Sequence, residues 1–418
     1  MNYALCIADN VKEFIEKHLK DDVNRLALAK FPEGIDREFV IRQIHARQVL
    51  SKKLPSWAEN DELVFPKKLS LEQCSSELTA KYKSFLVKGK TLIDLTGGMG
   101  VDTAFLSDNF DKTYYVEMQE ELCEIAKHNF KLLNKNIEVV NDNAEHFLTI
   151  CEEVDCIYLD PARRDEYGRK MVSLHDCSPD VVELHDILLK KAKRVLVKVS
   201  PMLDMEMVKK EVKDISRIHV VAVRNECKEI LIEIQKFRNS ESQNFETSIN
   251  VIATDLREGW NFAFTENEEL EAQWTLADNV GKYLYEPGAA CMKAGCFKLL
   301  SQRYGLDKLH RNSHLYTSDE LVADFPGRIF EVVNVVPFDK KAKKNIWTLD
   351  LEDAETQRRK DAKKDSATSK KANVAVRNFP LSAEELKKNL GLQDGSDFYV
   401  FGSTMKEEKK VVILTKKV

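Results

Sequence analysis

The sequence lacks several features that would place it in a special class of protein. No apolar run approaches the roughly 18 residues of a membrane-spanning helix. The first residues, MNYALCIADNVKEF, have neither the basic flank nor the apolar core of a secretion signal. A net charge of only -5 excludes a strongly basic surface over the whole protein. We therefore expect a cytoplasmic protein without a membrane segment, in which any nucleic-acid contact comes from a local patch.

Metal-binding patterns are also scarce. The nine cysteines include no Cys-x-x-Cys pair, so we expect reduced thiols. Cys291 and Cys296 come closest to a clustered pair, but no histidine or second cysteine pair stands near them in sequence. The spacing of His175 and His185 matches no common metal pattern. The sequence therefore predicts no metal site.

Composition and turn signals indicate several folded domains. The 418 residues are 43% hydrophobic and 32% charged, as in an ordinary globular protein. Apolar residues at helical spacing predict a helical N-terminal domain over residues 1–88. Alternating strand and helix patterns follow over 89–238 and end at the polar linker 239–244. Mixed strands and helices predict two α+β domains, at 245–335 and 336–418.

A polar helix is predicted just before the first strand of the middle domain. Ser70 and Gln73 have the spacing of a capping box, which predicts one helix that runs to about Leu86. Its polar side chains include Ser75, Ser76, Glu77, Thr79 and Lys83. This helix either roofs a binding pocket or exposes a solvated face, and the sequence does not separate the two interpretations.

The most informative stretch is TLIDLTGGMGVD, residues 91–102. A short apolar strand ends at Asp94, a glycine-rich turn follows, and helical potential resumes at Val101. The turn carries Thr96, Gly97, Gly98 and Gly100. Such a turn lets a ligand approach bare backbone at the N-terminus of a helix, while the acid at the strand end holds a ribose, an amine or a turn amide. The alternative is a tight connection in which glycine only permits positive φ.

A second strand, Lys112–Glu117, ends in an acid about 20 residues beyond the glycines. In a Rossmann-like domain a carboxylate at this place binds the ribose hydroxyls. We therefore assign Glu117 to the two hydroxyls of a ribose. A solvated acid at a strand end is the alternative.

The last two strands of this domain define its topology. The alternation over residues 90–236 implies right-handed crossovers and a mostly parallel sheet with helices on both faces. His219–Arg224 and Glu229–Ile234 are too close in sequence for a crossover helix. They must form a hairpin, which closes the parallel sheet with one antiparallel strand.

This pattern resembles the class I S-adenosylmethionine-dependent methyltransferases. The matching segments are DLTGGMG, YYVE, NDNA and LDPARR. The resemblance implies S-adenosylmethionine as cofactor, held by Asp94, Thr96, Gly97, Gly98, Gly100 and Glu117, with the adenine near Asp142 or Asn143. A nicotinamide enzyme would more often show Gly-x-Gly-x-x-Gly, and here Thr103 occupies the third glycine position. That substitution favours the methyl donor.

The LDPARR segment resembles the acceptor motif of methyltransferases that act on exocyclic amines. Those enzymes carry Asp-Pro-Pro-aromatic or Asn-Pro-Pro-aromatic, in which the acid or amide accepts amine hydrogens and the ring stacks on the base. Asp160 and Pro161 match this motif, but Ala162 replaces the second proline and Arg163 replaces the ring. Arg163 can stack its guanidinium plane on a base or pair with a phosphate. The alternative is a strand-terminating turn in which Arg163 and Arg164 are salt-bridged on the surface.

The C-terminal stretch ANVAVRNFPLSAEELKKNLGLQDGSDFYVFGSTM resembles the THUMP-like domain attached to a bacterial methyltransferase family. That family also carries SSELTAKYK, DLTGGMGVDT and LDPARR, so the resemblance spans most of residues 70–418. True THUMP domains bind RNA, so the resemblance implies an RNA substrate, either tRNA or rRNA. The charged segment 340–371 is a candidate phosphate-contacting arm, although such runs are often only solvated.

Together these patterns predict a methyltransferase that modifies a nucleobase in RNA by direct methyl transfer, with the acceptor held at Asp160 and Pro161. The sulfonium is already an excellent leaving group, so catalysis is mostly proximity and orientation. A protein or small-molecule acceptor, a non-catalytic RNA-binding protein of the same fold, and a Rossmann oxidoreductase are the alternatives.

Overall fold

A computed structural model describes residues 7–163, 173–236, 248–348 and 371–418. Two compact units are present: Met1–Val221 with Lys228–Ile249, and Ala222–Cys227 with Asn250–Val418. The predicted linker 239–244, Arg164 and most of the charged segment 340–371 lie outside the described residues. None of the described helices has the length and apolarity needed to cross a lipid bilayer. The finer division into four domains stays a prediction.

The first unit begins with helices, two of which start at acidic N-caps. Asp22 accepts the backbone N–H of Arg25, and Asp36 accepts that of Phe39. The helices are α1 (Asp9–His18), α2 (Val23–Leu26), α3 (Arg37–Lys53), α4 (Pro55–Ala58), α5 (Lys68–Gln73) and α6 (Glu77–Leu86).

The single helix predicted from Ser70 to Leu86 is wrong, because the chain breaks between α5 and α6. Cys74 has an extended backbone, with φ -62° and ψ 156°. Ser76 then caps α6 by accepting the backbone N–H of Thr79. A second good N-cap inside the apolar pattern therefore competes with continuation of the first helix.

The rest of the first unit alternates strands and helices, as predicted. Its elements are β1 (Gly89–Asp94), α7 (Val101–Leu106), β2 (Phe110–Glu117), α8 (Glu120–Leu132), β3 (Ile137–Asn141), α9 (Ala144–Ile150), β4 (Val154–Leu159), β5 (Ala162–Arg163), β6 (Cys177–Ser178), α10 (His185–Lys191), β7 (Ala192–Val199), α11 (Met205–Glu211), β8 (Ile215–Val223) and β9 (Glu226–Ile234). Short β5 and β6 form a separate two-stranded sheet.

The main sheet of this unit has the strand order β8-β9-β7-β4-β1-β2-β3. Strands β3, β2, β1, β4 and β7 pair in parallel, and β9 pairs antiparallel with β7. Arg224 and Asn225, both with positive φ, form the tight turn between β8 and β9. The predicted parallel sheet with a closing antiparallel hairpin is confirmed.

One hydrophobic cluster joins the N-terminal helices to this sheet. Leu50, Leu54 and Trp57 pack in the same buried cluster as Tyr115 and Phe130. Burial of these large side chains is the main stabilising contribution at such a contact. The helices and the sheet therefore share a core within the first unit.

The second unit contains β10 (Asn250–Asp255), β11 (Trp260–Thr265), α12 (Glu266–Glu271), β12 (Tyr283–Pro287), α13 (Ala289–Ala294), α14 (Phe297–Tyr304), β13 (Asp307–Lys308), β14 (Tyr316–Ser318), β15 (Gly327–Pro337), α15 (Ala342–Asn345), β16 (Asn373–Arg377), α16 (Ala383–Leu390), β17 (Phe398–Thr404) and β18 (Lys410–Lys417). Strands β12 to β18 form a sheet in the order β13-β14-β12-β15-β18-β17-β16. Ser382 and Glu385 form a capping box at the start of α16.

Candidate functional site

A cavity of about 260 Å³ opens at the carboxyl ends of β1, β2 and β4 in the first unit. Nine of the predicted site residues line it together: Asp94, Thr96, Gly97, Gly98, Gly100, Glu117, Asp142, Asn143 and Asp160. Among the described side chains, Pro161 does not line the cavity, whereas Ala162 does. The side chain of Arg163 lies outside what the structure describes, and its backbone pairs with Cys177. The carboxyl edge of a parallel sheet is where α/β folds bind ligands.

The glycine turn leaves bare backbone facing this cavity. A Cβ atom on Gly97 would lie 2.2 Å from Cε2 of Tyr115, and one on Gly100 would lie 2.7 Å from Cζ of Phe130. The Tyr115 hydroxyl also donates to the carbonyl of Gly98 at 2.6 Å. Positions 97 and 100 therefore require glycine, because two buried rings occupy the space of any side chain.

Asp94 closes β1 and is 1% exposed. Its Oδ1 accepts the backbone N–H of Thr96 at 3.0 Å, and its Oδ2 accepts the hydroxyl of Thr103 at 2.5 Å. Burial raises the pKa of Asp94 to about 7, although these two hydrogen bonds oppose that rise. Asp94 therefore stabilises the glycine turn through its hydrogen bond with Thr96. Thr103, which occupies the third glycine position, donates a hydrogen bond to the same carboxyl.

Glu117 stands at the end of β2 with both carboxylate oxygens occupied by backbone. Oε2 accepts the N–H of Gly98 and Oε1 accepts the N–H of Gln119, each at 2.9 Å. These bonds fix the carboxylate at the cavity wall. A hydroxyl pair would meet acceptor oxygens there, as the ribose assignment requires.

Asp142 and Asn143 follow β3 and already have local partners. Asn143 caps α9 by accepting the backbone N–H of His146 at 2.8 Å. Asp142 Oδ2 lies 2.6 Å from His146 Nδ1, and this contact lowers the pKa of the Asp142 carboxyl. Asp142 Oδ1 also accepts the backbone N–H of Asn143 at 2.8 Å. Both side chains therefore have local partners, and both line the cavity.

Asp160 follows β4 and is held from two sides. Its backbone N–H donates to Thr96 Oγ1 at 2.6 Å, which links the acceptor motif to the glycine turn. Its Oδ2 accepts a hydrogen bond from the ammonium of Lys198, near the end of the adjacent β7. Burial alone would lower the pKa of Lys198, but the carboxylates of Asp160 and Asp102 raise it. One carboxylate oxygen, Oδ1, has no hydrogen-bond partner among the described residues.

A network of charged side chains lies behind the cavity wall. Asp102 Oδ2 accepts the hydroxyls of Ser75 and Tyr158, each at 2.8 Å. Lys83 is fully buried and donates to both oxygens of Glu229, at 2.7 and 2.8 Å. Its Nζ also lies 3.3 Å from Asp102 Oδ1. Burial would raise the pKa of Asp102, but the ammonium groups of Lys83 and Lys198 lower it.

The polar segment before β1 contributes to the cavity. Cys74 and Ser75, between α5 and α6, line it, and Lys83 reaches beneath it from α6. Sequence patterns did not indicate Asp102, Lys198 or Glu229, because they come from separate elements and share no motif. Two signals were available: Lys198 interrupts the apolar pattern of β7, and Asp102 closes the segment TLIDLTGGMGVD.

The residues present fit an adenosyl cofactor. The bare turn at Gly97–Gly100 fits close approach of a ligand, and Glu117 offers acceptor oxygens for ribose hydroxyls. Exposed Met118 and buried Leu122 add apolar surface to the lining. In the described part of the chain, no group of three or more His, Cys, Asp or Glu side chains is arranged to hold a metal ion.

Three family models match parts of the chain. They are described as "Conserved hypothetical protein 95" over residues 75–218, a ferredoxin-like domain over 283–326 and a THUMP domain-like region over 351–417. A search of curated proteins found no match.

Solved structures resemble the chain over different lengths. A protein from Porphyromonas gingivalis W83, described as a putative methyltransferase, is 32% identical, covers 98% of both chains and has a TM-score of 0.82. An rRNA methylase from Streptococcus thermophilus is 16% identical and covers 38% of this chain and 96% of its own, with a TM-score of 0.30. A putative methyltransferase from Streptococcus mutans in complex with SAH is 19% identical and covers 38% of this chain and 97% of its own, with a TM-score of 0.28.

Proposed function

The chain belongs to the family of class I S-adenosylmethionine-dependent methyltransferases with a THUMP-like C-terminal domain, and we propose that it methylates a nucleobase amine in RNA. The observation that carries this proposal is the convergence in one cavity of a bare glycine turn, the Glu117 carboxylate and Asp160. The THUMP-like match supports RNA as the class of substrate, since THUMP domains bind RNA. A cytoplasmic location is part of the same proposal.

The cofactor is held by the elements that the turn and the first strands provide. Glu117 binds the ribose hydroxyls, Asp142 or Asn143 contacts the adenine, and the backbone at Gly97–Gly100 lies against the remainder. When bound, S-adenosylmethionine supplies an activated methyl group on a positively charged sulfur. Asp94 acts indirectly, because its carboxyl is used to hold Thr96 and Thr103.

Asp160 positions the acceptor. Its free Oδ1 accepts an N–H of an amino group, which turns the nitrogen lone pair towards the methyl group. Rate enhancement then comes from orientation, as expected for a reaction with a good leaving group. Pro161 shapes this turn, and Arg163 takes the place of the stacking ring by its guanidinium plane or by a phosphate contact.

Transfer of labelled methyl from S-adenosylmethionine tests the proposal. Intact protein is incubated with total RNA, with protein extract and with small-molecule filtrate, all from cells that lack the gene. We expect label in RNA, lost with Asp160→Ala and retained with Asp186→Ala, whose side chain is fully exposed. Label only in the protein or small-molecule fraction would contradict RNA as the substrate.

Truncation is a poor test of the RNA assignment in this chain. Strand β18 pairs with both β15 and β17 inside the sheet of the second unit. Removal of residues 340–418 would therefore expose the core of that unit as well as delete the THUMP-like region. Point substitutions of exposed Lys and Arg residues in the second unit are the cleaner experiment.

A further inference from the structure

Lys198 lies behind the cavity, hydrogen-bonded to the lining residue Asp160, and has no place in the cofactor assignments above. Its side chain is 13% exposed, and its ammonium donates to Asp160 Oδ2 and lies 3.9 Å from Asp102 Oδ2. It reaches Asp160 because β7 runs parallel to β4, with Leu159 paired to Val197. The residues that follow these two positions therefore stand side by side at the carboxyl edge.

The charges around the cavity explain why a cation is needed there. Six acidic residues line it in the described part of the chain, and no Lys or Arg does: Asp94, Asp102, Glu117, Asp142, Glu145 and Asp160. Asp160 belongs to the acceptor side, where the methyl group must pass. Its side chain is 34% exposed, so its charge is only partly screened by water.

Methyl transfer moves the positive charge from the cofactor sulfur to the acceptor nitrogen, which then releases a proton. Asp160 hydrogen-bonds to that nitrogen, so the orientation of its carboxylate decides where the nitrogen lone pair points. Before the acceptor binds, a carboxylate without a counter-ion would also attract the cationic sulfur and favour the charged cofactor over its neutral product. A cation at Oδ2 fixes the orientation and offsets this attraction.

We propose that Lys198 is a positioning residue that balances the charge of Asp160 and fixes its Oδ2, so that Oδ1 alone faces an amino acceptor. This inference rests on the proposed function, because it requires a cationic sulfur in the cavity. It also restricts the acceptor class: one oxygen that accepts a hydrogen bond selects a group that carries a hydrogen to donate, such as an amine, over a ring nitrogen or carbon without one.

Binding of S-adenosylmethionine and S-adenosylhomocysteine to the full-length protein tests the inference without any methyl acceptor. The two ligands differ in the charge on sulfur, so the ratio of their dissociation constants reports the potential at that atom. We expect Lys198→Met to increase the preference for S-adenosylmethionine over S-adenosylhomocysteine by about tenfold. This magnitude assumes a carboxylate within about 6 Å of the sulfur whose charge is partly screened by solvent. The measurement is isothermal titration calorimetry.

Two further variants separate charge from loss of structure. In the double variant Lys198→Met/Asp160→Asn neither the ammonium nor the carboxylate remains. We therefore expect the ratio of dissociation constants to return to within about twofold of the wild-type value. Lys193→Met is the matched control, because Lys193 lies on the same strand in an ion pair with Asp155 but its side chain is 80% exposed. Its ratio should equal that of wild type.

The possible outcomes test the proposed function and the role of Lys198 separately. A wild-type protein that binds neither ligand overturns the proposed function, and this inference with it. Wild-type binding together with an unchanged ratio in Lys198→Met overturns the inference alone. Failure of the double variant to restore the ratio, while it still binds both ligands, would mean that Lys198 acts on the sulfur through something other than Asp160.

Discussion

The protonation of Asp94 gives a prediction that can be worked through in numbers. Its folded-state pKa is raised from 3.8 to about 7, chiefly by burial. The folded state therefore binds a proton that the unfolded state releases between these two values. Folding stability is not reduced below the unfolded pKa, falls as pH rises through the interval, and stays reduced above pH 7. Each pH unit in the interval costs about 1.4 kcal/mol.

Asp94→Asn removes this penalty while it preserves the shape of the side chain. Its amide oxygen can still accept the N–H of Thr96, and its amino group can donate to Thr103. Between pH 5 and pH 8.5, the free energy of unfolding of wild type should fall by about 3 kcal/mol relative to that of Asp94→Asn. This is an upper estimate, because only the roughly two pH units between pH 5 and the folded-state pKa contribute. Urea denaturation of the protein without ligand, followed across this pH range for both proteins, measures the difference.

Asp155→Asn provides a control of opposite sign. The ammonium of Lys193, together with the backbone N–H of Lys90, lowers the pKa of the Asp155 carboxyl. Its ionised form therefore stabilises the folded protein above the unfolded pKa, and that contribution is lost as pH falls. If the difference between wild type and Asp94→Asn does not change with pH, the reasoning about Asp94 is refuted.

Two other substitutions test the turn and the buried network. Gly97→Ala should lower the affinity for S-adenosylhomocysteine by about tenfold or more, because the new Cβ would overlap the Tyr115 ring. Calorimetry compares it with Gly34→Ala, where a Cβ meets nothing within 4 Å but the φ of 85° is strained for alanine, so this control carries backbone strain without steric overlap. Lys83→Met should cost about 3–5 kcal/mol in urea denaturation, since it leaves buried carboxylates unpaired. Lys81→Met, in an exposed pair, should cost at most about 1 kcal/mol, and equal losses in the two lysine variants would contradict the assignment.

Local patterns were sufficient to predict the sheet and most of the cavity. The strand that ends at Asp94, the glycine turn and the helix from Val101 follow from apolar runs and from glycines that no other residue can replace. The closing hairpin follows from the short spacing of its two strands. Each of these features depends on residues within a few positions of one another, so sequence alone carries them.

The rest of the site depends on contacts between distant elements. Lys198 meets Asp160 because two parallel strands end in register, and Lys83 meets Glu229 from α6 across 146 positions of sequence. Helix α6 begins at Glu77, where Ser76 caps it after the extended backbone of Cys74. Propensity and spacing do not specify such pairings, and only the folded chain brings them together.

A crystal structure of the full-length protein with S-adenosylhomocysteine would test the central claim most directly. The account predicts that the ribose hydroxyls bind Glu117, that the adenine lies beside Asp142 or Asn143, and that the sulfur faces Asp160 across the cavity. A ligand bound elsewhere, or one whose sulfur points away from Asp160, would contradict it.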